Sequence, residues 1–180
     1  NGQTVFTVGP PPIPASVTHR YQFNEGSGGT AFDSEGSNDG NISNATFTTD
    51  SKEGSHALAF NQGNFVTIND VDLIDGDFGI SAFIKTTDTS KGCILAENDS
   101  GVPSEYRLRY NNGDLELATL DGNFLVTASL NDGVFHHVAV TRNGSTLEFY
   151  IDNNLVGTFS FTTTDSKSQT TRIGVNGSFT

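Results

Sequence analysis

Gly133-Val-Phe-His-His-Val-Ala-Val-Thr-Arg-Asn-Gly-Ser-Thr-Leu-Glu-Phe-Tyr-Ile-Asp-Asn-Asn-Leu-Val-Gly157 reads as two strands and the start of a third. Turns are expected at Arg142-Asn143-Gly144 and Asp152-Asn153-Asn154. Asn-Gly supplies the positive φ angles that a tight hairpin requires, and Asn tolerates them elsewhere. Leu147, Phe149 and Ile151 fall on odd positions, while Thr146, Glu148 and Tyr150 face the other way. A period of two marks a half-buried antiparallel strand.

Working outward, strand signals recur from Val17 onward at roughly 8 to 12 residues, the spacing of a sandwich or barrel. Strands are predicted at His19–Phe23, His56–Phe60, Asn64–Asn69, Phe78–Lys85, Cys93–Glu97, Tyr106–Tyr110 and Leu115–Leu120. Further strands are predicted at Phe124–Leu130, Phe135–Thr141, Thr146–Ile151, Leu155–Phe161 and Thr171–Gly174. Gly-, Asn- and Asp-rich turns separate them, among them Asn111-Asn-Gly-Asp114 and Asn131-Asp-Gly133. No window keeps a helical period, so the fold class is all-β: a two-sheet antiparallel sandwich. Residues 1–9 read as an orphan strand or the end of a preceding module. Pro10-Pro-Pro-Ile-Pro14 makes 10–16 a stiff linker. Residues 17–180 form the sandwich.

A chain of 180 residues buries roughly 70% of its unfolded surface and needs neither disulfide nor metal to hold a core. Cys93 is the single cysteine and reads as a small buried hydrophobe. The net charge of −12, from 21 acidic and 9 basic residues, argues against nucleic acid, whose phosphates need Lys and Arg. It argues equally against anionic membrane surfaces. No apolar run approaches the roughly 20 residues of a membrane helix, so membrane insertion is not expected. A chain beginning at Asn1 and lacking Met is expected to be part of a longer protein.

Several segments in order resemble the laminin-G-like jelly rolls of the concanavalin A-like lectin and glucanase superfamily. They are Tyr21-Gln-Phe-Asn-Glu-Gly-Ser-Gly28, Asp33-Ser-Glu-Gly36, Asn38-Asp-Gly40, and Gly54-Ser-His-Ala-Leu-Ala-Phe60 leading to Phe65-Val66. Asp77-Phe-Gly-Ile-Ser-Ala-Phe-Ile-Lys85, the His136-His-Val-Ala-Val140 block and Phe149-Tyr-Ile-Asp-Asn-Asn-Leu-Val156 complete the set. The resemblance implies two stacked antiparallel sheets. This chain departs from the family in carrying Phe83 and Phe135 where Trp is usual. It also stops at Thr180, before the family's closing strand, so the sandwich is expected to lack its last strand.

Glycoside hydrolysis needs two carboxylates about 5 to 9.5 Å apart, which related glucanases set as Glu-x-Asp-x-x-Glu. Glu97-Asn-Asp99-Ser-Gly-Val102 lacks the second Glu, and no catalytic residue is assigned. His136 and His137 are adjacent on a strand, face opposite sides and cannot share a metal. Calcium wants several carboxylate and carbonyl oxygens. Asp33, Asn38 and Asp39 form the candidate set, since the resemblance implies calcium at the sheet rim. Asp70-Val-Asp72-Leu-Ile-Asp75-Gly-Asp77 reads as a solvated acidic loop. In Tyr106-Arg-Leu-Arg-Tyr110 the alternation puts Arg107 and Arg109 on one face, where they could clamp a carboxylate or sulfate of a glycan; the competing reading is a pair of surface salt bridges.

The resemblance and these residues imply a non-enzymatic, extracellular or surface-displayed recognition module for a glycan or surface protein. The rival expectation is a structural, decoration or assembly domain of a surface layer, fibre or virion, held by neighbouring chains.

Overall fold

The computed structural model describes residues 17–69, 71, 73, 76–97, 106–120, 122–162 and 170–176. Among them there are strands and turns and no helix. The assignments to residues 1–9 and 10–16, and those to Asp70, Asp72, Asp75 and Asp99, lie outside the described residues.

The strands in chain order are β1 (Thr30–Ala31), β2 (Gly40–Ser43), β3 (Thr46–Thr48), β4 (Ala57–Ala59) and β5 (Phe65–Ile68). Next come β6 (Phe78–Ile84), β7 (Lys91–Glu97), β8 (Tyr106–Asn111), β9 (Asp114–Thr119) and β10 (Gly122–Val126). β11 (His136–Asn143), β12 (Thr146–Ile151), β13 (Asn154–Ser160) and β14 (Thr171–Asn176) complete the set. An eight-stranded sheet runs β1-β2-β5-β14-β7-β8-β9-β10, and a four-stranded sheet runs β13-β12-β11-β6. A ribbon of β3 and β4 lies apart.

The two hairpins of the opening segment obey their turn residues. Asn143 pairs with Thr146, so the loop is Gly144-Ser145, with Gly144 at φ 56. That is one residue later than the sequence reading placed it, because glycine at the first central position selects a type II′ turn. Ile151 pairs with Asn154, and Asp152 and Asn153 take φ 50 and 66, a type I′ turn. Asn112-Gly113 does the same between β8 and β9, at φ 53 and 89.

The sandwich closes on one main core. Leu108, Leu115 and Leu117 of the long sheet meet Val138, Val140, Leu147 and Phe149 of the four-stranded one, all with no exposed surface. A second core lies under the β3–β4 ribbon, where Leu58, Ile42 and Ile173 pack against the cluster of Ala31, Val66 and Ile68. One strand reading fails: His19–Phe23 makes only an isolated bridge, Tyr21 to Asp33. The polar neighbours of Tyr21 are tied instead to side chains of the next loop.

Candidate functional site

β8 keeps the alternation its sequence announced. Tyr106 and Leu108 are fully buried in the main core, so Arg107 and Arg109 emerge on the outer face of the long sheet. Register extends that face across all eight strands. Arg107 pairs with Ala96 and Ala118, Ala96 with Arg172, Arg172 with Thr67, Thr67 with Asn41, and Asn41 with Thr30. Ala118 pairs in turn with Asn123 at the far edge. Directly opposed residues point to the same side. The row Thr30, Asn41, Thr67, Arg172, Ala96, Arg107, Ala118, Asn123 is therefore a stripe of polar and small side chains. It spans seven strand steps, roughly 33 Å.

The parallel row beside it carries Cys93, Arg109 and Glu116. The Glu116 carboxylate accepts two bonds from Arg109, at 3.0 Å from Nε and 2.9 Å from the terminal nitrogen, and one from Asn111 at 3.0 Å. Burial would raise the Glu116 pKa, but these bonds outweigh it and hold the carboxyl below its ordinary range. The same pairing raises the Arg109 guanidinium against the opposing effect of burial. Arg109 is thus committed within the sheet, in a largely buried pair and not in the surface salt bridge of the competing reading. Arg107 stands beside it on the same strand, with Lys91 on the neighbouring strand β7. Burial pushes the Cys93 thiol up to about 11, against the two arginines, so it sits neutral on the floor with Ala96.

Arg172 was not singled out from the sequence. Its guanidinium lies over the Phe65 ring, 4.2 Å from the centroid. Its Nε is buried with no hydrogen-bond partner among the described residues. The signal that could have found it is long-range: β14 lies between β5 and β7, and no local pattern announces that insertion. Lys91, Arg107, Arg109 and Arg172 share this face with the strand carboxylates Asp114 and Glu116. Four of the chain's nine Lys and Arg residues thus gather on one surface of an acidic protein.

The calcium candidates do come together, but as a self-contained loop. Asp33, its side chain fully buried, accepts the backbone N–H groups of Arg20, Glu35 and Gly36 on Oδ1. Its Oδ2 meets the N–H of Asn38 at 3.2 Å and His19 Nδ1 at 2.7 Å. Asn38 accepts from the Asn69 backbone through Oδ1 and donates to its carbonyl through Nδ2. Asp39 Oδ1 accepts the Asp33 N–H. N–H donors converge on the oxygens that a calcium ion would need, and an ion there would have to displace them. Burial works to raise the Asp33 pKa, yet the bonds from His19, Arg20, Gly36 and Asn38 prevail and hold it well below the usual carboxylate range. No group of three or more His, Cys, Asp or Glu residues suited to a metal occurs among the described residues.

The remaining candidates are dispersed. Glu97 is fully buried in β7 and its side chain points to the inner side, opposite Thr171. Asp77 accepts the Gly144 N–H at 2.6 Å and fastens a turn. His136 and His137 do face opposite sides. His136 bridges Asp152 at 2.7 Å and Asp132 at 3.2 Å, and His137 lies against Phe83 with ring centroids 5.0 Å apart. Among the described residues no helix is long and apolar enough to cross a membrane.

A laminin-G-type family model, described as the concanavalin A-like lectin/glucanases superfamily, matches residues 60–179. No curated protein sequence matches the chain. Among solved structures, residues 221–444 of an S-layer domain-containing protein from Clostridium thermocellum superpose with a TM-score of 0.50 at 23% identity. That likeness covers 81% of this chain and 73% of the other. A carbohydrate-binding module, CBM66 from Bacillus subtilis, gives a TM-score of 0.46 at 14% identity over 76% of this chain and 92% of that one. A Bacillus licheniformis β-glucanase gives 0.44 at 11% identity, covering 83% and 70%.

Proposed function

We propose, for a chain that belongs to the concanavalin A-like lectin/glucanases superfamily, a non-enzymatic recognition module. Its ligand is a glycan or other surface molecule bound along the outer face of the eight-stranded sheet. The fold is common to binding modules and hydrolases alike and does not choose between them. The residues do. The observation that carries the reading is the unbroken row of polar and small side chains from Thr30 to Asn123. Polar side chains held in fixed register supply groups that orient the hydroxyls of a sugar chain.

The acids on that face support binding over hydrolysis. A glycosidase acid works with a raised pKa beside a second carboxylate. Glu116 is lowered and tied to Arg109 and Asn111, and Asp114 accepts the Ala128 backbone N–H. A module of this kind acts outside the cell or on a surface, where glycans are displayed.

A glycan array, run once with calcium and once with EDTA, tests the reading. Selective binding that survives EDTA is the expected result. Binding lost in EDTA would move the site to the loop of Asp33, Asn38 and Asp39. A blank array from folded protein would overturn the recognition reading. The structural alternative would then stand, and it has its own observation: Phe83 and Leu155 are 41% and 53% exposed on the outer side of the four-stranded sheet, a surface suited to assembly.

A further inference from the structure

The sheet edges are not built alike. β13, at one edge of the four-stranded sheet, is bulged at Val156, between the Phe149–Gly157 and Tyr150–Leu155 pairs. A bulge of that kind discourages further pairing. β1, at one edge of the long sheet, is only two residues long. β6 has no such protection. Phe78-Gly-Ile-Ser-Ala-Phe-Ile84 holds no charge and no proline, and its pairs with β11 run without a break. It is composed as an interior strand, yet among the described residues no strand lies beyond it.

The core is open along the same edge. Val138 and Val140 of β11 have no exposed surface, whereas Ile80, Ala82 and Ile84 of β6 are only partly buried. The main core draws on β7 to β10 of the long sheet. The other half of that sheet meets Tyr21 and Phe23 instead, so the segment 19–23 continues the layer of the four-stranded sheet past β6. Two contacts give its direction. Lys85, just past the end of β6, pairs with Asp50, and Asn24 Oδ1 accepts the N–H groups of Ser55 and His56. All three partners belong to the turn between β3 and β4. β6 and 19–23 therefore both run toward that turn, and a strand entering between them would run opposite to both.

The sequence holds one strand pattern without a sheet, Asn1-Gly-Gln-Thr-Val-Phe-Thr-Val-Gly9, with no charged side chain. Set antiparallel to β6 with Val5 opposite Ser81, it overlaps all of β6. Phe6 and Val8 then share the inner face with Ile80 and Phe78, while Gln3 and Thr7 face outward. Running opposite to 19–23, it ends on the side where Val17 begins. The Pro-rich residues 10–16 reach about 20 Å in polyproline II, several times the spacing of about 4.8 Å between strands. We propose that residues 1–9 of this chain dock on the free edge of β6 as a fifth strand, adding Phe6 and Val8 to the core. This closure is independent of what the outer face of the long sheet binds.

Amide exchange, read residue by residue by NMR on the full chain, tests the docking. Alternate N–H groups of β6 point away from β11, and a fifth strand would protect them. Both sets should be protected in the wild type. In Phe6→Asp, which puts a charge on the inner face, the outward set should exchange about tenfold faster or more. The set bonded to β11 should change little. Thr7→Asp, on the solvent side, should leave both sets as they are, and Phe6→Leu should keep the protection. For the register, Val5→Cys and Ser81→Cys are combined in a Cys93→Ser background. Oxidation should join positions 5 and 81 within one chain. An outward set unprotected in the wild type would mean an open edge and overturn the proposal. Protection that survives Phe6→Asp, or a disulfide formed only between chains, would give the edge to another occupant and overturn it equally. Near-ultraviolet circular dichroism of each variant separates local undocking from loss of the fold.

Discussion

The loop around Asp33 and the outer face around Arg172 both hold a charged side chain largely out of water, and they treat it in opposite ways. At Asp33, backbone N–H groups of Arg20, Glu35, Gly36 and Asn38 converge on two carboxylate oxygens, with His19 closing the set. At Arg172 one aromatic ring supports the guanidinium and a buried donor has no acceptor. The first charge is consumed in shaping the chain. The second lies against a ring, with one donor left unpaired inside the fold. A charged residue marks a candidate site only when its hydrogen-bonding capacity is not already spent, and chain position does not reveal that.

The strongest way to break the comparison is to remove the carboxylate. Asp33→Ala should lower unfolding stability by about 3 kcal/mol, since buried N–H donors lose their acceptor together. Ligand affinity measured below the new melting temperature should not change. The acid limb of the stability curve gives a second reading of the same group. A carboxylate whose folded pKa is depressed contributes stability that is present above its unfolded value of about 3.9. That stability is lost as pH falls through the folded pKa. Asp33→Asn should therefore flatten the dependence of melting temperature on pH below about 4. An unchanged acid limb, or a calcium-dependent melting temperature in the wild type, would show that the loop is not the closed unit described.

Much of this was legible in the chain, and the limits have physical causes. The hairpins around Gly144 and Asn153 were readable because turn residues act over two or three positions. The Asn112-Gly113 turn even fixes Arg109 opposite Glu116, so their ion pair follows from counting outward from the turn. Asp33-Ser-Glu-Gly36 carried a local signal as well. An Asp that accepts bonds from the N–H groups two and three residues on is an Asx-type turn, and that pattern competes with reading the same residues as calcium ligands. Two features were not readable. The expected strand His19–Phe23 dissolves because Arg20 bonds the Asp33 side chain and the Tyr21 hydroxyl bonds the Asn38 carbonyl. The pairing of β14 with β5 and β7 joins segments far apart in the chain with several turns between them, where no periodicity reaches. Arg172 and Phe65 meet only through it.

Glu116 lies between the two extremes and sharpens the contrast. Its carboxylate is spent like that of Asp33, but on the same face as Arg172. Glu116→Gln should cost about 2 kcal/mol of stability, the difference between charged and neutral hydrogen bonds to Arg109 and Asn111. The same change releases positive charge onto the outer face. An acidic polysaccharide should then bind several-fold tighter and a neutral one should not. Weaker acidic binding would mean that Arg109 serves the face only while Glu116 positions it. Calorimetry on this one variant separates the two.

The smallest expected effect comes from a charge that is enclosed but not fully consumed. His136 lies between Asp152 and Asp132 at the end of β11, where the turns before and after the opening strands meet. The bond to Asp152 raises its pKa, burial opposes it, and Asp132 adds to the rise. Raised in the folded state, the group contributes stability that is complete below its unfolded value of about 6.5. That contribution is lost as pH climbs through the folded value. Both aspartates are about half exposed, so screening keeps the effect small. The melting temperature of the wild type should therefore slip between pH 6 and 9 by more than that of His136→Gln. Raised salt should narrow the gap. Identical slopes would mean that the imidazole is neutral at His136 throughout, a hydrogen-bonded spacer between two turns and no longer a counterpart to the charges at Asp33 and Arg172.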